Sequence, residues 1–289
     1  MASAKQSPRT SEDSSLRLAV LIDADNAQAT VIDKLLAEVA RYGEATVKRI
    51  YGDFTAPTSA SWKKVLQRHA IKPVQQFAYT TGKNATDSSL IIDAMDLLYT
   101  RNFDGFCLVT SDSDFTGLAM RLREEGLTVL GFGEKKTPDA FRNACHKFIF
   151  TEVLREAGTK AATKPAAVAA PKASAVKAEV DRDEVAKPAG PDKAAAEKPA
   201  KPVAEPAEQK PAMPVQFLLE ALEESVDDEG WAGLGAFGSY LNKLQPDFDS
   251  RLYGYRKLSD LVKARSDLFV IEERTVSGSP NRAIYLRAR

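Results

Sequence analysis

The sequence predicts an α/β protein: a doubly wound, mostly parallel sheet, then a linker without a core, then a small winged-helix α+β module. Three observations carry this reading. Between about Leu16 and Arg155, short apolar runs alternate with stretches of helical periodicity. From about Ala157 to Pro211 the composition shifts abruptly to Ala, Lys, Pro, Glu and Val, with no aromatic residue. From Met213 to Arg289, three amphipathic patterns precede two alternating ones.

The runs LAVLI, VKRIY, FCLVT, TVLGF and KFIF read as strands. Near-continuous apolar strands are expected where helices cover both faces of a sheet. The stretches AQATVIDKLLAEVARYG, SASWKKVLQRHA, DSSLIIDAMDLLYTR and FTGLAMRLREEG read as the helices between them. Gly43 and Gly126 stand where C-terminal caps are expected. This alternation predicts parallel crossovers and places the first domain at 16–156. Residues 1–15 and 157–212 are expected to be disordered, because neither stretch can bury enough surface to offset ordering entropy. The scattered prolines also break any helix in the linker. As a flexible coil, a linker of roughly 55 residues spans on the order of 40 Å. In 213–289, VQFLLEALEESV, LGAFGSYLNKL and YRKLSDLVKAR read as helices, and LFVIEER and RAIYLRAR as strands joined by the turn VSGSPN. Three helices followed by a hairpin is the element order of a winged helix.

Composition narrows the function classes. Formal net charge is zero, so the whole-chain average carries no basic signature, although an average conceals local asymmetry. Cys107 and Cys145 are too few for a disulfide framework, and Cys107 sits in an apolar run as a small core residue. The N-terminus lacks the apolar stretch of a signal peptide, and no apolar run is long enough for a membrane helix. The expectation is a soluble, cytoplasmic protein. His69 and His146 read as isolated helix-end or surface residues, and no Cys/His spacing points to zinc. GFGEKK lacks the spacing of a dinucleotide fingerprint.

The acids carry the chemistry. Asp23 ends the strand LAVLI, and Asp112 and Asp114 follow FCLVT in the string TSDSDF. Ligands of open α/β sheets gather beyond the carboxyl ends of the strands, where side chains distant in sequence converge. Clustered carboxylates repel one another unless a cation neutralises them, and oxygen donors select hard metals such as Mg²⁺ or Mn²⁺. Asp87 stands in a first helical turn, with Thr86 as the expected N-cap, and Asp93 lies inside the apolar stretch LIIDAMDLL, where a charge needs a partner. A structural alternative holds for each residue alone: Asp25 and Asn26, or Asp112 and Asp114, can simply cap helices.

These strings also carry a family resemblance. LIDADN, GKNATDSSLIIDAMD, LVTSDSDFTGLAMRLREEG and VLGFG together resemble the NYN domain, a PIN-like ribonuclease fold related to the DUF88 and LabA-like domains. The resemblance covers about Leu18 to Leu154. It implies Mg²⁺- or Mn²⁺-dependent hydrolysis of RNA, with the metal acids at Asp23, Asp87, Asp112 and Asp114. It further implies polar positions beside the metal at Asn26 and Ser111, a supporting acid at Asp93, and Lys83 near a substrate phosphate. An Asp-x-Asp at a first strand end also opens haloacid-dehalogenase phosphatases, but the residue type expected after the second Asp is absent. A phosphotransfer receiver domain lacks its later lysine here.

The last module is acidic in LLEALEESVDDEG and basic from Arg251 on, with Tyr253, Tyr255, Phe269 and Tyr285 interleaved. Basic groups attract phosphate and aromatics offer stacking, although in so small a module the aromatics also serve as core. The stretch DDEGWAGLGAFGSYLNKLQPDFDSRLYGYRKLSDLVKARSDLFVIEE resembles an OST-HTH/LOTUS domain, with DFDSRLYGYRKLSDLV its most specific part. That implies RNA binding, in some members of G-rich RNA, or a protein partner, with Gly254, Tyr255, Arg256 and Lys257 as RNA-contact candidates. The combined expectation is a metal-dependent ribonuclease tethered to an RNA-binding module. The alternative is a non-catalytic RNA-binding or scaffold protein.

Overall fold

Six parallel strands in the order β3-β2-β1-β4-β5-β6 form the sheet of the first domain. A computed structural model describes residues 15–55, 60–77, 85–159, 211–275 and 282–289. The strands are β1 (Leu16–Asp23), β2 (Gly43–Gly52), β3 (Lys72–Gln75), β4 (Gly105–Val109), β5 (Thr128–Gly133) and β6 (Lys147–Phe150). The intervening helices are α1 (Ile32–Val39), α2 (Ala60–His69), α3 (Ala85–Tyr99), α4 (Thr116–Glu124) and α5 (Asp139–Ala144), and α6 (Thr151–Thr159) follows the last strand.

Side-chain alternation explains the two helical layers. Ala19 and Leu21 of β1 join Phe106 and Leu108 of β4 in one core, beneath Leu90 and Ala94 of α3 and Leu118 of α4. Leu18, Val20 and Ile22 join Cys107 and Val109 in a second core, against Leu35 and Val39 of α1, Trp62 of α2 and Leu154 of α6. The middle of β1 is therefore buried on both faces, as its apolar run predicts. The chain winds outward from β1 to β3, returns to the centre at β4 and winds outward again. The carboxyl ends of β1 and β4 thus flank the point where the strand order reverses.

Several elements differ from the expectation. KPVQ forms the short strand β3, whose proline is tolerated because β3 lies at the sheet edge. The six-residue α5 is too short to show periodicity, and α6 runs past 156 to Thr159. Gly43 is no helix cap. It opens β2, where a Cβ would come within 2.3 Å of the Leu16 carbonyl oxygen, so close approach of the backbones requires glycine there. Gly126 does take the left-handed conformation after α4, with φ of 79°. Thr86 lies within α3 and is not its N-cap. Both cysteines are buried and unpaired, and burial pushes the Cys145 thiol up to about 12. His69 ends α2 and meets Asp33, and His146 accepts a hydrogen bond from the Val129 N–H at 3.1 Å.

The C-terminal module contains α7 (Val215–Glu223), β7 (Ala232–Gly233), α8 (Leu234–Leu244), a 3₁₀ turn at Ser250–Tyr253, α9 (Leu258–Ala264), β8 (Phe269–Thr275) and β9 (Arg282–Ala288). Its sheet has the order β7-β9-β8 and is antiparallel. Leu218, Phe237, Leu241, Leu261, Phe269 and Leu286 form its core. The expected turn VSGSPN, the N-terminal residues 1–14 and most of the expected linker lie outside the described residues. Among the described residues, no helix is long and apolar enough to cross a membrane.

Candidate active site

Asp23 is fully buried at the end of β1. Desolvation raises its carboxyl above the ordinary value, and three hydrogen bonds oppose that rise. Asn26 Nδ2 donates to Oδ2 at 2.7 Å, Thr110 Oγ1 donates to the same oxygen at 2.9 Å, and the Asp25 N–H donates to Oδ1 at 3.0 Å. Thr110 follows β4, so its hydroxyl ties the two central strand ends together. It also accepts the Asp112 N–H at 3.1 Å. The short turn after β1 is uncapped by side chains: its first helical residue is Ala29, and the Gln28 side chain at the cap donates to Glu134 rather than capping the turn. Asn26 therefore serves Asp23 and not the helix, and Asp25 is exposed.

Asp112 follows β4 and does cap a turn, as one reading of the sequence allows. Its Oδ1 accepts the Asp114 N–H at 2.9 Å, starting the 3₁₀ turn Ser113–Phe115 ahead of α4. The cap fixes Asp112 without removing it from the site. Asp87, in the first turn of α3, reaches the same place from a helix that shares its core with α4. One carboxylate oxygen from each of Asp87, Asp112 and Asp114 lies within 4.8 Å of the others. Asp23 is not one of these three, but its charge acts on Asp87. The Asp87 carboxyl is pushed up to about 6, first by burial and then by Asp23, Asp112, Asp114 and Asp25.

Family models match this chain in two places, the NYN domain at residues 17–156 and the OST-HTH/LOTUS domain at residues 209–279. The chain pairs an NYN domain with an OST-HTH/LOTUS domain. That pairing supports a nuclease-like, RNA-related role. No curated protein matches the chain. Among solved structures, an uncharacterized protein of Nitrosomonas europaea, determined by solution NMR, is 66% identical over 32% of this chain and 89% of its own, with a TM-score of 0.27. The crystal structure of a protein of unknown function from Vibrio parahaemolyticus is 17% identical over 48% of this chain and 94% of its own, with a TM-score of 0.41.

Within the NYN domain, Asp93 stands apart from the acid cluster. It pairs with the Arg49 guanidinium and the Tyr51 hydroxyl of β2. The buried charge expected in LIIDAMDLL thus finds its partners on the sheet, which neither residue in VKRIY signals by spacing. Ser111 Oγ accepts the Glu134 N–H at 2.9 Å and ties the loop after β5 to the end of β4. Lys83 lies outside the described residues. Thr110 is the residue that sequence reasoning passed over, although its place in TSDSD at a strand end is a usable signal.

In the LOTUS domain, Gly254 has φ of 89° after the 3₁₀ turn, and Lys257 precedes the first residue of α9. Arg256 and Lys257 are exposed, whereas Tyr255 packs half-buried against the core with Tyr253. Phe269 is core, and Tyr285 lies under Arg274, 4.6 Å from the guanidinium carbon. The Trp231 ring is met by the Arg274 and Arg287 guanidinium carbons, at 5.1 and 4.9 Å from its centroid.

Proposed function

We propose that this chain is a divalent-metal-dependent ribonuclease, with residues 16–156 hydrolysing RNA phosphodiesters and residues 213–289 holding the RNA. The observation that carries this reading is the convergence of Asp87, Asp112 and Asp114 at the reversal point of the sheet, beside buried Asp23. The donor set suits a hard cation such as Mg²⁺ or Mn²⁺, because every donor is a carboxylate oxygen. Burial, and after it repulsion from the neighbouring acids, raises the Asp87 carboxyl, as expected of such a cluster without a cation.

In this reading Asp87, Asp112 and Asp114 hold the cation, and Asp23 completes the set from within the sheet. When bound, the cation supplies Lewis-acid activation of water and stabilises charge developing on a phosphodiester. The chain's own groups provide the positioning. Thr110 and Asn26 keep Asp23 oriented and favour its ionised form, and the Asp114 N–H fixes the Asp112 carboxylate. Asp93, through Arg49 and Tyr51, ties α3 to β2 and so sets the height of Asp87. Ser111 steadies the rim, and Lys83 is assigned to a substrate phosphate. In the LOTUS domain, Gly254, Tyr255, Arg256 and Lys257 are assigned to RNA, G-rich RNA included.

Incubating the full chain with a mixed RNA pool, with Mn²⁺, with Mg²⁺ and with chelator, tests the proposal. Cleavage products in the presence of either metal, and none with chelator, are expected. Tight RNA binding with no cleavage of any RNA class would instead favour a scaffold.

A further inference from the structure

The string DFDSRLYGYRK divides into two halves with different surroundings. Arg256 and Lys257 face solvent, but Asp247, Asp249 and Ser250 are buried, each with at most 8% of its surface exposed. Polar side chains are not buried without partners, and here Asp247 finds its partner in the NYN domain, while Asp249 holds Arg251, which reaches that domain in turn. Arg251 donates from both terminal nitrogens to Glu38 of α1, at 3.0 and 3.1 Å, while its Nε and Nη2 hold Asp249 at 3.0 and 2.7 Å. Asp247 pairs with Arg142 of α5.

A second set of contacts surrounds the first. Lys147, the first residue of β6, donates to Asn242 Oδ1 at 2.5 Å and to the Phe248 carbonyl at 2.8 Å. The Phe148 N–H donates to the Pro246 carbonyl at 2.9 Å. β6 is an edge strand, so the loop satisfies an edge donor as an added strand would. Leu252 packs against the apolar core under α3 and α4. Charges on the two sides are complementary, with the Asp247 and Asp249 carboxylates meeting a surface that offers Arg142 and Lys147.

We infer that Pro246–Tyr253 is a docking element that seats the LOTUS domain on the NYN domain of the same chain. The seat lies at the end of the sheet opposite to the acid cluster. Glu38 is in the last turn of α1, Arg142 in the last turn of α5, and Lys147 at the start of β6, all at the amino ends of the strands. The acids lie at the carboxyl ends, roughly 25 Å away along a strand of eight residues. This inference is independent of catalysis.

A specific protease site placed between residues 163 and 209 of the full chain tests it. After cutting, the two halves are expected to co-migrate on size exclusion at micromolar concentration. Glu38→Arg and Arg251→Glu, which lie on opposite sides, should each weaken the association at least about thirtyfold. The Glu38→Arg/Arg251→Glu pair should restore part of it, since Asp249 still loses its guanidinium, and that partial restoration separates a docking effect from misfolding of either half. Separation of the wild-type halves, or single variants that leave association unchanged, would overturn the inference. The uncut chain is expected to have the mass of a monomer, and a dimer that Glu38→Arg dissociates would overturn the assignment to the same chain.

Discussion

At the scale of single residues, the acid cluster is a set of charges that oppose each other when no cation is present. Asp87 shows it most clearly, with its carboxyl held up at about 6 by burial and by its acidic neighbours. A carboxyl raised in the folded state contributes stability that is present below its unfolded value and is lost as pH rises through the folded one. The metal-free protein should therefore lose melting temperature between about pH 4 and pH 7. Mn²⁺ should reverse the loss, since a ligand that binds only the folded state stabilises it. Thermal melts across that range, with and without Mn²⁺, check both signs. In Asp87→Asn the metal-free protein should be more stable near pH 7 and should gain less from Mn²⁺. Thr110 offers a subtler test. Thr110→Val keeps the shape but removes the donor to Asp23 and the acceptor of the Asp112 N–H. Metal affinity should fall about 10–100-fold, as read by calorimetric titration, while a wild-type affinity would show that Thr110 positions nothing.

Elements set how precisely those residues meet. Gly133 ends β5, and a Cβ there would come within 2.5 Å of the Thr110 carbonyl oxygen and 2.7 Å of the Thr137 hydroxyl. Gly133→Ala must therefore push β5 away from the end of β4. It should cost about 1–3 kcal/mol in urea unfolding and weaken metal binding together, because the backbone it presses on, at Thr110, leads directly into Asp112. This coupling also shows why parts of the fold were legible and others were not. The central strands announce themselves because both faces are buried, so LAVLI and FCLV are apolar throughout. An edge strand such as KPVQ, with one proline and partly exposed side chains, carries no such signal. Gly43 follows a helix as a cap would, yet its role is set by contact with Leu16, a residue distant in sequence. Among the site residues, Asp112 and Asp114 are legible from the strand that precedes them. The Arg49 and Tyr51 partners of Asp93 lie more than 40 residues away and emerge only once β2 packs beneath α3.

Over the whole molecule, the two domains face one another through ion pairs that a linker-based view does not anticipate. Arg251 holds Glu38 and Asp249 together, so removing it takes the guanidinium from nearly buried Asp249 and leaves Glu38 with only the exposed Arg41. Arg251→Ala should cost about 3–5 kcal/mol and resolve calorimetric melting into two transitions where the wild type shows a more cooperative one. A single unchanged transition would argue that the domains melt independently of this contact. The placement also bears on how RNA would be handled, since a module seated at the amino ends of the strands presents its ligand from across the sheet. The central claim remains the carboxylate centre, and Asp112→Asn tests it most directly. Asparagine can still accept the Asp114 N–H and keep the cap, so the fold is retained while one negative charge is removed. RNA cleavage by Asp112→Asn with Mn²⁺ should fall by about 10²–10³-fold, and cleavage at the wild-type rate would contradict the account.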